Sequence, residues 1–342
     1  MNSIIQEDID QIIKQIDLKP LKGKNILLTG SNGLLGRYIA MIVSLLNKKY
    51  DYKTKLYCLS RHPPNNDIAS LANNDNNIIP QSVDLSKSFV FTKKVDFILH
   101  AACYAQPQKF IENKYETIEL NVNTTHSLLN IAKKNNARFL FFSSAEVYGD
   151  IPKDQIPVSE KYNGSVDTTQ VRSIYAESKR LGETICSMYR RDEDVTAVVV
   201  RLSHVYGPGI STIDKRVMGE FIRKAFEDNV IILKDQGTAI KTWGYIADII
   251  PMILNVLIYG TECIYNVGGI DTMNIKELAE EIGRQTDATV VAPRLEGEKN
   301  QITLDPQFVK LDISKYSKEF GQTKFTAFSE GIRRTIEWNR NH

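Results

Sequence analysis

Four cysteines occur in 342 residues: Cys58, Cys103, Cys186 and Cys263. They lie far apart and no two form a C-x-x-C pair. That scarcity excludes a disulfide scaffold and a thiolate metal site, and predicts buried free thiols in a reducing compartment. The five histidines form no H-E-x-x-H or similar cluster, so no metal is expected. A dominant charge is missing too. The net charge of +2 is too small a field to draw nucleic acid or a membrane surface. No apolar run reaches the length of a transmembrane helix. Residues 1–18 lack the continuous apolar core of a signal peptide, so a cytoplasmic location is expected.

What is present suits one large α/β domain or two closely joined ones. Ile5, Ile9, Ile12, Ile13 and Ile16 fall on one helical face. Residues 1–20 therefore read as an amphipathic helix ended by Pro20, packed on a domain edge or a subunit contact. Its polar face is not basic, which argues against a membrane-surface helix.

The most informative stretch is 24–36. An apolar run at 26–28 reads as a buried parallel strand. It breaks into Gly30-Ser31-Asn32-Gly33-Leu34-Leu35-Gly36, and a helix-patterned segment follows to about residue 46. Strand, glycine turn and helix in that order form the first unit of a dinucleotide-binding fold. Gly30 permits the tight turn, Gly33 lets a pyrophosphate approach the backbone, and Gly36 lets the helix pack on the strand. Free N–H groups at the helix start would face the phosphates.

Further strands are predicted at 56–59, 78–83, 95–100, 138–144 and 195–202, and helices at 111–135 and 175–191. Their alternation predicts a doubly wound parallel sheet over 21–203. Beyond residue 204 the segments shorten around Gly207-Pro208-Gly209. Helices are expected at 217–228, 247–258, 275–285 and 329–339, with short strands at 230–233, 264–267 and 289–291. Residues 204–342 thus read mainly as a smaller α/β substrate lobe, with 234–258 returning to the first domain. The lobe would lie over the carboxyl ends of the strands, where ligands bind in such sheets.

Tyr175-Ala176-Glu177-Ser178-Lys179 places a phenol and an ammonium four residues apart on one helix face. An adjacent ammonium lowers a phenol pKa and fits it for proton transfer to or from a sugar hydroxyl. Ser143-Ser144 ends a strand at the same edge of the sheet. Glu146 lies two residues from Ser144, which in an extended segment means the same face.

Several segments together carry a family resemblance: Gly30-x-x-Gly33-x-x-Gly36, His100-Ala101-Ala102, Asn121, Ser143-Ser144-x-x-Val147-Tyr148-Gly149, Tyr175-x-x-x-Lys179, Arg201-x-x-x-Val205-Tyr206-Gly207-Pro208 and Tyr265-Asn266-Val267-Gly268. The chain resembles an extended short-chain dehydrogenase/reductase of the epimerase/dehydratase group, which modifies nucleotide sugars. Within that group it is most similar to UDP-glucuronate decarboxylases and related enzymes of bacterial polysaccharide loci. Those enzymes also carry a Ser/Thr and a glutamate before V-Y-G, an arginine three residues before the tyrosine, and Lys-Arg where this chain has Lys179-Arg180. The resemblance implies a Rossmann-type α/β fold, a bound NAD, a homodimer built on the two long helices, and no nucleic-acid or membrane partner. It also implies a cycle in which the sugar is oxidised at carbon 4.

By the same resemblance Ser144, Glu146, Tyr175 and Lys179 are the catalytic candidates. Cofactor contacts are expected from Gly30, Asn32, Gly33, Leu34, Leu35, Gly36, Ser60, Arg61, Asp84, Leu85, Ala101, Ala102, Asn121, Tyr175 and Lys179. Substrate contacts are expected from Tyr104, Arg172, His204, Arg216 and Lys241. Three departures keep alternatives open. Lys241 replaces the decarboxylases' arginine and keeps charge without its planar fork. His204 stands where many relatives have asparagine. Ser60-Arg61 replaces the acidic residue that holds the NAD ribose, and an arginine there can hold the 2′-phosphate of NADP. Ala145 stands where dehydratases carry an acidic residue. The open alternatives are a 4-epimerase, a 4,6-dehydratase or a C4 dehydrogenase/reductase acting on another nucleotide sugar, and a non-catalytic NAD(P) sensor.

Overall fold

A computed structural model describes residues 2–211, 214–293, 307–322 and 324–341. Seven parallel strands form the main sheet. In chain order they are β1 (Asn25–Thr29), β2 (Lys55–Ser60), β3 (Ile78–Ser82), β4 (Phe97–His100), β5 (Arg138–Ser144), β6 (Ala197–Leu202) and, after three strands outside this sheet, β10 (Ile264–Val267). Their spatial order is β10-β6-β5-β4-β1-β2-β3. The order reverses between β1 and β4, which pair directly. β4, β5 and β6 are apolar almost throughout and buried on both faces, as helix-covered parallel strands must be.

The three intervening strands are β7 (His204–Tyr206), β8 (Val230–Ile232) and β9 (Ile240–Tyr245), and two more follow: β11 (Asp271–Asn274) and β12 (Thr289–Val291). β11-β9-β7 form one small sheet and β12-β8 another. β7, β9 and β11 were not expected from the sequence. Polar residues Lys241, Thr242 and Asp271 interrupt the apolar runs that mark a strand, and it is pairing across the lobe that makes these segments strands. The return to the large sheet also runs further than residue 258. The Ile246–Tyr259 helix lies on it, and β10 adds a strand at the β6 edge.

The helix expected over 111–135 is broken. It consists of Pro107–Glu112, Lys114–Ile118, a π-helical turn Glu119–Asn123, and Thr124–Asn135. Asn113, with φ −115° and ψ 56°, interrupts it. The wide turn presents the Leu120 carbonyl to His100 Nε2 at 2.9 Å. π turns are rare and concentrate at functional sites.

The amphipathic N-terminal helix is Ser3–Gln15, capped by Asn2. Ile5, Ile9 and Ile12 are buried, and the helix packs on Leu34–Tyr50 and Ile246–Tyr259. Asp8 on its inner face accepts hydrogen bonds from Tyr245 Oη (2.9 Å), Arg334 Nη2 (2.9 Å) and Tyr38 Oη (3.2 Å). It thereby ties the first helix to the large sheet's cover and to the last helix.

Candidate active site

A cavity of about 1050 Å³ opens where β1, β4, β5 and β6 end. Gly30, Gly33, Ala101, Ser144, Glu146, Arg172, Tyr175, His204, Arg216, Lys241 and Trp243 line it. The strand ends supply one wall and the smaller lobe the other.

The glycine turn has the geometry its sequence predicts. Gly30 has φ +73°, and a Cβ there would lie 2.8 Å from the Ala101 carbonyl carbon and the Ala102 nitrogen. A Cβ at Gly36 would lie 2.5 Å from the Gly30 oxygen. Gly33 is the N-cap of Leu34–Tyr50, and no side chain caps that helix. Its first N–H groups are left for an external acceptor. Leu34 and Leu35 open the same helix and line the cavity. Asn32 turns outward: its Nδ2 donates to the Pro63 carbonyl (2.9 Å) and its Oδ1 accepts from the Asn65 N–H (3.1 Å). It pins the loop after β2 beside the glycine turn.

At the far end of this turn Ser60 Oγ bonds the His62 carbonyl at 2.8 Å. Arg61 Nη1 donates to the Tyr104 hydroxyl. Tyr104 therefore groups with the cofactor candidates, not with the sugar candidates. Cys103 and Ala105 face the cavity and Tyr104 between them turns away. Asp84 accepts from Ser86 N and Oγ (3.2 and 2.6 Å) in a strand-end turn. Those bonds, aided by Arg61 and Lys87, hold its carboxyl below the usual range. The Leu85 carbonyl accepts from Thr124 Oγ1 at 2.5 Å.

His100 lies beneath the site. The Leu120 carbonyl can only accept, so Nε2 carries the proton. Nδ1 then accepts from Thr29 Oγ1 (2.8 Å), which itself accepts from the Ala102 N–H (3.1 Å). Burial, with the Lys179 charge, lowers its pKa to about 3. His100 is thus a neutral brace for the Ala101-Ala102 turn and the π turn. Asn121, inside that turn, donates to Ser178 Oγ at 3.0 Å on the tyrosine helix.

Ser173–Asp192 carries Tyr175 and Lys179 inward; both are buried. Lys179 Nζ donates to the Phe142 carbonyl (2.6 Å) and stands 5.8 Å from the Tyr175 ring centre. The expected depression of the phenol pKa is not what the geometry gives. Burial, then the neighbouring Cys103 and Glu146 charges, push Tyr175 well above its ordinary value, against a hydrogen bond from Ser144. Burial likewise lowers Lys179. Desolvation is the largest effect on each group, because packing buries both side chains.

Ser144 and Glu146 share the cavity wall, though not through an extended segment. Ala145–Tyr148 is a 3-10 turn, and Ser144 Oγ caps it by accepting from the Glu146 N–H at 3.2 Å. Arg172 Nη2 meets Glu146 Oε1 at 2.8 Å. Arg216 is held by Asp214 at 2.6 Å. Lys241 is buried on β9, and His204 on β7 stands 5.3 Å from Trp243, centre to centre. Ala145 is buried and offers no acid.

Other motif residues serve the frame. Arg201 on β6 and Glu183 form a buried ion pair at 2.7 Å, and Ser143 Oγ donates to the same carboxylate at 2.5 Å. Arg201 also lies over the Tyr148 ring, whose hydroxyl bonds Asn266 Oδ1 at 2.7 Å. This cluster clamps the tyrosine helix to β5, β6 and β10. Sequence reasoning missed Phe110 and the cavity position of Cys103. Neither carries a local signal, since an apolar residue or lone thiol near a strand end reads as core.

The family model for the "NAD dependent epimerase/dehydratase family" matches residues 26–268. The chain is 31% identical over 239 residues to UDP-glucuronic acid decarboxylase 3 of Arabidopsis thaliana, covering 70% of this chain and 68% of that protein. It is 29% identical to UDP-glucuronic acid decarboxylase 1 of Xenopus tropicalis, covering 72% of this chain and 57% of that one. Among solved structures, a dTDP-glucose 4,6-dehydratase from Streptomyces venezuelae with NAD bound superposes with a TM-score of 0.75 at 22% identity, covering 93% of this chain and 97% of that one. A UDP-N-acetylglucosamine 4-epimerase from Methanobrevibacter ruminantium does so with 0.76 at 20%, covering 94% and 99%. The two structures speak for the fold alone.

Proposed function

The chain belongs to the NAD dependent epimerase/dehydratase family, and on that footing we propose that it is a nucleotide-sugar enzyme that decarboxylates UDP-glucuronate. One observation carries this reading: Ser144, Glu146, Arg172 and Tyr175 share one cavity wall, with the Arg172 fork held 2.8 Å from Glu146. That set suits a sugar with a carboxylate on carbon 5 better than a neutral hexose. The resemblance to UDP-glucuronic acid decarboxylases supports it. Buried Ala145 argues against dehydration.

The glycine cradle, where backbone fills the Cβ positions of Gly30 and Gly36, and the uncapped helix start fit the pyrophosphate of NAD. When bound, the nicotinamide supplies a hydride acceptor and donor, and its positive charge favours a phenolate. Tyr175 takes the proton of the sugar 4-hydroxyl, and Ser144 orients that hydroxyl and polarises the resulting ketone. Lys179 holds the nicotinamide ribose. Arg172 exchanges Glu146 for the substrate carboxylate. The 4-keto acid loses carbon dioxide through an enolate, and Glu146 orients the water that delivers a proton to carbon 5. Arg216 and Lys241 bind the substrate diphosphate.

UDP-glucuronate labelled in the carboxyl carbon tests the reading. Labelled carbon dioxide and a UDP-pentose, or its 4-keto precursor, are expected. Label retained in an epimerised sugar overturns decarboxylation. A second reading, the same C4 chemistry on another nucleotide sugar, is favoured by Lys241 and His204 in the cavity. Product mass spectrometry over UDP-, GDP-, CDP- and dTDP-sugars decides between them. On cofactor choice, Arg61→Ala should weaken NADP far more than NAD if the arginine grips a 2′-phosphate. Equal small effects leave NAD.

The homodimer belongs to this proposal as well. Leu181 and Met188, two turns apart on the tyrosine helix, are 48% and 39% exposed, and Tyr115 is 83% exposed. Such an apolar stripe suits a helix-bundle interface. Light scattering should give a dimer that Leu181→Glu dissociates; a wild-type monomer rejects it. No helix among the described residues is long and apolar enough to cross a membrane.

A further inference from the structure

The Tyr175 ring does not stand free in the cavity wall. Phe110, fully buried in the short Pro107–Glu112 helix, stacks on it with centres 4.8 Å apart and planes 13° apart. The Arg172 guanidinium lies over the same phenyl ring at 5.7 Å. Phe110 does not line the cavity, so it stands behind both groups. Its helix is pinned at the mouth: Lys215 Nζ of the smaller lobe donates to Gln108 Oε1 at 2.9 Å. The phenyl ring is buried and touches both the Tyr175 ring and the Arg172 guanidinium.

We propose that Phe110 is a positioning residue for the proton-transfer step, fixing the plane of the Tyr175 phenol and the seat of the Arg172 guanidinium together. The proposal rests on the catalytic role given to Tyr175. A phenol's hydroxyl lies at the far end of a long lever. A tilt of about 10° at its base carries the oxygen roughly 1 Å, enough to cost on the order of 100-fold in a step that needs near-attack geometry. A parallel stack resists that tilt, because any rotation opens a gap on one side and a clash on the other. A leucine of similar bulk fills the space without setting a plane.

The test compares Phe110→Leu with Phe110→Tyr, which keeps the ring, in full-length protein with UDP-glucuronate and NAD. Phe110→Leu should lower kcat about 10- to 100-fold, with NAD affinity within about twofold of wild type. Phe110→Tyr should restore most of kcat. Its crystal structure should keep the phenol plane, whereas that of Phe110→Leu should show the Tyr175 ring swung about its Cβ or in two positions. Unchanged kcat in folded Phe110→Leu, a rise in KM alone, or equal damage in both variants overturns the proposal. So does an unmoved Tyr175 ring in the Phe110→Leu crystal, a result that stands whichever nucleotide sugar is the substrate. Tyr175→Phe is the control. If it stays active, the catalytic reading fails; if it is inactive while Phe110→Leu is normal, only the positioning role fails.

Discussion

Gly33→Ala and Gly36→Ala separate what the glycine turn does for the fold from what it does for the cofactor. At Gly36 a Cβ would sit 2.5 Å from the Gly30 oxygen and 2.8 Å from Ser31 Cα, both backbone atoms. Reaching ordinary contact moves the start of the Leu34–Tyr50 helix by roughly 1 Å, an overpacking that costs about 1–3 kcal/mol of stability. At Gly33 the only close atom is the Gly30 oxygen at 3.2 Å, and φ is −74°, which alanine adopts freely. The stability cost there should be about 1 kcal/mol, the ordinary N-cap preference for glycine over alanine, and smaller than at Gly36. Yet that methyl would point where the pyrophosphate approaches the helix start. Losing one charge-assisted hydrogen bond is worth about 1.5–3 kcal/mol, so NAD should bind roughly 10- to 150-fold more weakly. Thermal melts and calorimetric titration with NAD measure the two effects. Both variants should lose affinity, and Gly36→Ala should lose the more stability. Gly33→Ala with unchanged NAD affinity would refute the cradle.

Three further outcomes follow from the site and its frame. Tyr175→Phe should keep NAD binding and lose about 100- to 10,000-fold in kcat, since only the proton-transfer group is removed; steady-state rates and a binding titration check this. Arg201→Met leaves Glu183 buried without its partner and should cost about 3–5 kcal/mol in urea unfolding, whereas a cost under about 1 kcal/mol would mean the pair is dispensable. His100, held neutral with a pKa of about 3 against 6.5 when unfolded, takes up a proton in the unfolded state first. Stability should therefore fall as pH drops below about 6.5, by about 1.4 kcal/mol per unit from this group, and replacing His100 by asparagine should flatten that slope.

The sequence alone was enough for whatever rests on short-range geometry. Gly30 and Gly36 are legible because a backbone that must pass within 3 Å of another admits no Cβ, and all three glycines because they follow an apolar strand. Tyr175 and Lys179 are legible because four residues make one helical turn. Six of the seven strands of the large sheet were readable as its own, since buried parallel strands leave continuous apolar runs; β10 was expected in the smaller lobe.

Tertiary structure decided what depends on distant partners. β9 holds Lys241 and Trp243 in the cavity only because β7 and β11 pair with it from either side. Tyr104 faces Arg61, and Cys103 faces the cavity, because of how one short loop leaves the sheet. Phe110 gains its role by meeting Tyr175, 65 residues away, face to face. The phenol's pKa rises where a neighbouring lysine predicted a fall. Spacing along the chain places two charges on one helix face, but the depth at which packing buries them sets how much water they keep. For Tyr175 and Lys179 that loss of water is the larger effect.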